Sequence, residues 1–173
     1  MSAGEPLPPK APDLKRLLEV LVRNGVDFVL IGGMAGIAHG SSYPSFDLDI
    51  AYGRDGANIS RLVLALKELD VRLRGAPPDL PFLLDERMIE NGANFTFATR
   101  SGDLDVLGDI SGVRDFAALE ADAEEKEIAG HSIKVASIDQ LIAMKKAANR
   151  PKDRNMVEEY LALADERDRA VEG

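Results

Sequence analysis

The segment that most constrains this chain is Phe46-Asp47-Leu48-Asp49-Ile50-Ala51-Tyr52, in which two aspartates alternate with large apolar residues. Alternation of this kind marks a half-buried β-strand, because successive side chains leave a strand on opposite faces. Phe46, Leu48 and Ile50 then share one face, and Asp47, Asp49 and Ala51 share the other. Two carboxylates held that close repel, and one takes up a proton unless a cation lies between them. A hard divalent ion such as Mg2+ removes that cost, since it takes oxygen ligands and combines one or two carboxylates with substrate phosphates. By itself the pair reads as a solvated face, because surface strands often carry alternating acids.

A third acid shifts the balance. Asp105 stands between Leu104 and Val106, in a run of strand formers that follows Phe95 to Ala98 through a turn at Ser101-Gly102. If that strand lies beside residues 46–52, its carboxylate completes a three-acid site. Asp103 shares its face but lies nearer the turn, and reads as solvated.

Upstream of the pair, Asp27 to Ile31 is a short apolar run that reads as a buried strand. Gly32-Gly33 breaks it, and Met34 to His39 reads as a short helical turn. Glycines between a strand and a helix let backbone N–H groups approach a phosphate where the helix dipole favours negative charge. The plainer alternative is a tight strand-to-helix turn. The Gly-x4-Gly-Lys-Ser/Thr and Gly-x-Gly-x-x-Gly patterns are both absent, which argues against P-loop and dinucleotide-binding readings.

The flanks are mostly helical. Leu14, Leu17, Leu18, Leu21 and Val22 form one apolar face of a helix from Pro12 to Gly25. Ile59 to Leu69 repeats the pattern. Val71 to Leu73 suits a short strand, Gly75 to Pro81 a loop, and Phe82 to Ile89 fits no single template. Val113 to Lys126 is acidic and helical in part, and Glu127 to Val135 suggests a hairpin turning at Gly130. Ser137 with Gln140 has capping-box spacing, and Pro151 opens the last helix. The expected organisation is a flexible Pro-rich tail over residues 1–11, a core over 12–135, and C-terminal helices over 136–173 packed on it. The expected class is α+β, a small mixed sheet flanked by helices.

Composition narrows the function. The chain has 173 residues, 45% of them hydrophobic, and no cysteine, so disulfides and thiolate metal sites are excluded. No apolar run approaches the ~20 residues of a membrane helix, and residues 1–11 lack the apolar core of a secretory signal. A cytoplasmic protein with no membrane partner is expected. The net charge of −9 argues against non-specific coating of long nucleic acid. Lys145, Lys146, Arg150, Lys152 and Arg154 form the one basic cluster, the natural place for a phosphate or an RNA end, although cations near a helix C-terminus also answer the helix dipole. His39 and His131 read as packing and turn residues, and Asp153 as a dipole partner for the last helix. The acids from Glu120 to Glu127 suit a solvated face or a basic partner protein.

The order of these features resembles the polymerase-beta-like nucleotidyltransferase superfamily. The segments that carry the likeness are VDFVLIGGMAGIAHG, SFDLDIAY, LDVLGDISG and VASIDQLIAMKKAANRPKD, which span Val26 to Asp153 with gaps. The chain is most similar to minimal bacterial members, including abortive-infection toxins of toxin-antitoxin pairs. The resemblance implies a nucleotidyltransferase fold and transfer of an NMP from an NTP to a hydroxyl, such as a tRNA 3′ end. It implies Mg2+, as a two-metal site held by Asp47, Asp49 and Asp105, with Asp105 also helping to activate the attacking hydroxyl. Gly32, Gly33 and Ser45 would bind the nucleotide, Lys145 would lie near its phosphates, and an antitoxin protein would be a partner. Many relatives carry Arg where this chain has Tyr43, and the loss of that cation weakens triphosphate binding. A catalytically inactive module with this fold, binding a nucleotide or a protein, is therefore the second reading. A phosphate-hydrolysing enzyme using the same acids is a third.

Overall fold

A computed structural model of the chain describes residues 12–77 and 79–172. The expected tail, residues 1–11, lies outside the described residues. Helix α1 (Leu14–Arg23) leads into strand β1 (Phe28–Ile31), helix α2 (Gly32–Ala38) and strand β2 (Asp47–Tyr52). Helix α3 (Gly56–Glu68), strand β3 (Arg72–Leu73) and helix α4 (Glu86–Asn91) follow, then the hairpin β4 (Asn94–Thr99) and β5 (Gly102–Leu107). Helix α5 (Phe116–Asp122), the hairpin β6 (Glu124–Ile128) and β7 (His131–Val135), and helices α6 (Ile138–Ala148) and α7 (Pro151–Glu172) complete the chain.

The strands form one mixed sheet in the order β3-β4-β5-β2-β1-β7-β6. Strand β1 is buried along its whole length, which explains why it is apolar throughout rather than alternating. It pairs antiparallel with β2, and β2 pairs parallel with β5. Leu48, Ile50, Leu104 and Val106 are fully buried. Helix α1 packs on α3, and α3 on α4, while α2 packs on β2 and α6. Removing each large aliphatic side chain of this core from water stabilises the fold by roughly 1.5–3 kcal/mol. The α+β class, with a mixed sheet flanked by helices and a C-terminal helical segment, is the one expected.

Several local details differ from expectation. Helix α2 starts at Gly32 rather than Met34, and β2 starts at Asp47, leaving Phe46 44% exposed. The ambiguous stretch around residue 86 is helix α4, capped by Asp85, whose side chain accepts from Met88 N. In the acidic stretch the helix ends at Asp122 and strand β6 begins at Glu124, earlier than the hairpin was expected. The Ser137–Gln140 capping box forms in both directions.

Candidate functional site

The parallel register of β2 and β5 sets the site. It places Asp47 opposite Asp103 and Asp49 opposite Asp105. Because side-chain direction alternates along a strand, all four carboxylates lie on one face. One ligand oxygen from each of Asp47, Asp49 and Asp105 lies within 4.8 Å of the others. The three residues predicted to hold metal are thus brought together.

The electrostatics are those of crowded acids. Burial pushes the Asp49 carboxyl up to about 7, reinforced by the charge of Asp105, a hydrogen bond with Asp105 and the charge of Asp47. Burial and then Asp105 raise Asp47 as well. Asp49 Oδ1 is buried with no hydrogen-bond partner among the described residues. This donor set fits a hard divalent ion: three converging carboxylates, one with an orphaned buried oxygen, on neighbouring strands of a rigid sheet.

The two glycines are required by their neighbours. A Cβ on Gly32 would lie 2.1 Å from Asp49 Oδ2, and one on Gly33 would lie 2.6 Å from Ser45 Oγ. Gly32 also holds φ +71°, the left-handed region. Asp49 and Ser45 can therefore close over the start of α2 only because both positions lack side chains. Ser45 Oγ donates to Asp47 O at 3.3 Å, which ties the loop before β2 to its first residue.

Lys145 reaches the site from α6. Together with Gly32, Asp49, Asn94, Asp109 and Met144 it lines a cleft of about 280 Å³. Its Nζ donates to Asp153 Oδ1 at 3.2 Å. Asp153 is only 1% exposed, and Arg150 also bonds it through its backbone N (3.1 Å) and Nε (2.8 Å). Burial opposes the charge on Asp153, but the bonds from Arg150 and Lys145 outweigh it and hold the carboxyl down at about 2. Asp153 is thus more than a dipole partner: it joins the end of α6 to α7 and fixes the lysine.

Sequence reasoning missed one residue entirely. Arg74, just after β3, donates through Nη2 to Asp105 Oδ1 and to Phe97 O at 3.0 Å. Its Nε lies 3.3 Å from Asp103 Oδ2. Asp103, expected to be solvated, is half-exposed but ion-paired. No local signal marks Arg74; only the placement of β4 between β3 and β5 brings it to the acids. The remaining residues behave as packing groups. His39 Nε2 bonds Ala136 O at 2.8 Å and sits at the end of α2, and His131 begins β7 at the hairpin turn.

No family profile matches the chain, and no curated protein matches its sequence. Solved structures do match it in shape. The lincosamide antibiotic adenylyltransferase LnuA, determined with lincomycin bound, aligns with a TM-score of 0.57 over 87% of this chain and 96% of its own, at 13% identity. A Thermotoga maritima protein described as a candidate nucleotidyltransferase aligns with a TM-score of 0.56 over 86% of this chain and 90% of its own, at 15% identity. ANT(2″)-Ia, in complex with adenylyl-2″-tobramycin, aligns with a TM-score of 0.52 over 87% and 85%, at 17% identity. At these identities the likeness is one of fold. Taken with the three-aspartate cluster, it establishes that this chain has the polymerase-beta-like nucleotidyltransferase fold.

Proposed function

We propose that the protein is an Mg2+-dependent nucleotidyltransferase that moves an NMP from an NTP to a hydroxyl acceptor. The observation that carries this reading is the convergence of Asp47, Asp49 and Asp105 within 4.8 Å beside a cleft large enough for part of a nucleotide. Mg2+, when bound, neutralises the phosphates and stabilises the attacking and leaving oxygens of an in-line displacement. Asp47, Asp49 and Asp105, whose carboxylate oxygens converge within 4.8 Å, would hold it. Asp105 Oδ1 is engaged by Arg74, so Oδ2 is the atom that takes the proton of the acceptor hydroxyl. The acceptor oxygen forms a bond to the α-phosphorus, the bond from that phosphorus to the bridging oxygen breaks, and pyrophosphate leaves. Lys145 pairs with the phosphates, steadied by Asp153. Gly32, Gly33 and Ser45 form the floor against which the nucleotide lies. In this reading residues 12–135 are the catalytic core and 136–173 a helical cover that supplies Lys145.

Two acceptor classes have support. Lys145, Lys146, Arg150, Lys152 and Arg154 favour an RNA end such as a tRNA 3′ end, and with it the role of a cytoplasmic toxin held by an antitoxin protein. The size of the cleft and the fold shared with the lincomycin-bound and adenylyl-tobramycin structures favour a small hydroxylated molecule. A non-catalytic nucleotide- or protein-binding module is supported by Tyr43, which stands where a cation would bind triphosphate.

The deciding assay incubates the protein and its Asp47→Ala/Asp49→Ala variant with each α-labelled NTP, Mg2+, and in turn total tRNA, lincomycin or tobramycin. Label on an acceptor that the variant fails to produce establishes the enzyme and names the acceptor. No label with any of these, from a folded sample that also gains no thermal stability from Mg2+ and NTP, overturns the enzymatic reading in favour of the binding module.

A further inference from the structure

Four carboxylates, Asp47, Asp49, Asp103 and Asp105, share one face of β2 and β5. The cations nearest to them are unequal. Lys145 lies across the cleft and is engaged by Asp153. Arg74 lies on the acids themselves. Its backbone N donates to Thr96 O at 3.0 Å, and Thr96 stands opposite Asp105 in the β4–β5 register. The guanidinium therefore folds over β4 and meets Asp105 through Nη2 and Asp103 through Nε, while Nη2 also bonds Phe97 O. This is no loose surface pair. Arg74 is 30% exposed and Asp105 is 18% exposed; Nη2 hydrogen-bonds Asp105 and Phe97 O, while Nε lies 3.3 Å from Asp103 Oδ2 as an ion pair with no hydrogen bond of its own among the described residues.

Asp105 does not need Arg74 to aim it. Strand β5 is paired on both sides, with β2 and with β4, so the backbone already sets the direction of that side chain. What the guanidinium adds is charge. It offsets repulsion among the acids when no divalent ion is bound, and it opposes a divalent ion that arrives.

We propose that Arg74 is a built-in counter-ion that holds the carboxylate cluster together and keeps its affinity for a bare divalent cation low, so that the cation is taken up together with the nucleotide phosphates. This rests on the reading of Asp47, Asp49 and Asp105 as a divalent-cation site. The triphosphate supplies the extra negative charge and oxygen ligands that overcome the guanidinium. At a separation of several ångströms in a largely hydrated setting, one positive charge weakens binding of a divalent ion on the order of tenfold.

The test is calorimetric titration of Mn2+ alone, without nucleotide, into the wild type and the Arg74→Gln, Arg74→Lys and Asp49→Asn variants. Thermal unfolding in EDTA accompanies it. Arg74→Gln is expected to bind Mn2+ about tenfold more tightly than the wild type, and to unfold at a lower temperature in EDTA with Mn2+ restoring the difference. Arg74→Lys keeps the charge and is expected to stay close to the wild-type affinity. Unchanged or weaker binding by Arg74→Gln overturns the proposal, as does equal tightening in Arg74→Lys, which would assign the effect to geometry. Those outcomes leave the cation site standing so long as the wild type binds and Asp49→Asn does not. Absence of binding in both the wild type and Arg74→Gln removes the cation site, and this inference with it.

Discussion

A methyl group on Gly32 would meet Asp49 Oδ2 at 2.1 Å on a backbone already at φ +71°. Gly32→Ala is therefore expected to cost about 2 kcal/mol or more in urea denaturation, from left-handed strain and the collision together. It should also weaken Mn2+ binding by displacing Asp49; a variant of unchanged stability and metal affinity would show that Asp49 can turn away freely. Asp49 carries a pH signature of its own. Its carboxyl is raised to about 7 in the folded protein, against about 3.9 in an unfolded chain. Between those values the folded state holds a proton that the unfolded state has lost, so this group makes stability fall as pH rises from about 4 to 7 and leaves it level above. In EDTA, Asp49→Asn should flatten that decline, and a decline of equal slope in the variant would assign it elsewhere. At this scale the phase of Asp47, Asp49 and Asp105 was legible, because a period of two leaves each acid only one face. Arg74 was not, because its partners lie across two strand pairings.

At the scale of elements, four helices begin at an aspartate whose side chain accepts a backbone N–H three residues on: Asp13, Asp55, Asp85 and Asp115. That local chemistry is readable in a sequence, and each such cap is worth about 1 kcal/mol. Strand β6 was harder to read. Glu124, Glu125, Lys126 and Glu127 have little preference for strands, but β6 is an edge strand paired only with β7. Charges there keep the open edge from pairing with another chain, so pairing overrides local propensity. The turn of that hairpin holds a correctable cost. Ala129 (φ 51°) and Gly130 (φ 85°) are both left-handed, as a two-residue hairpin turn with Asn-Gly would be. Ala129→Asn is expected to raise stability by roughly 0.5–1 kcal/mol, since asparagine tolerates this conformation better than alanine. A loss of stability in chemical denaturation would contradict this account of the turn.

The molecule as a whole carries a net charge of −9, and four of its acids crowd one face of the sheet beside a cleft lined by Lys145 and Arg150. Long-range repulsion should dominate any contact with an extended polyanion. The protein is expected to leave random-sequence duplex DNA unshifted in a gel at physiological salt; a shift that weakens steeply with salt would reveal a phosphate-binding face that overrides the net charge. Among the described residues no helix is long and apolar enough to cross a membrane. The C-terminal helices are bound into the rest of the molecule at specific points. Tyr160 of α7 is fully buried, and its ring lies against Gly36 of α2, where a Cβ would fall 2.4 Å from its hydroxyl oxygen. Ser42, in the loop before β2, bonds Glu159 through both its backbone N and Oγ. The loop that carries Ser45 toward the acids is thus braced from the far end of the chain.

The amino-acid sequence by itself determined the strand bearing Asp47 and Asp49, the buried β1, the amphipathic helices and the capped start of α6. Each of these follows from local periodicity or from a hydrogen bond within one turn. The tertiary structure alone decided that β5 lies parallel to β2 with Asp105 opposite Asp49, that Arg74 crosses β4 to reach both Asp103 and Asp105, and that Asp153 anchors Lys145 at the cleft. These are pairings between distant segments. Their energies depend on register, burial and the sum of nearby charges, quantities that exist only once the sheet has closed.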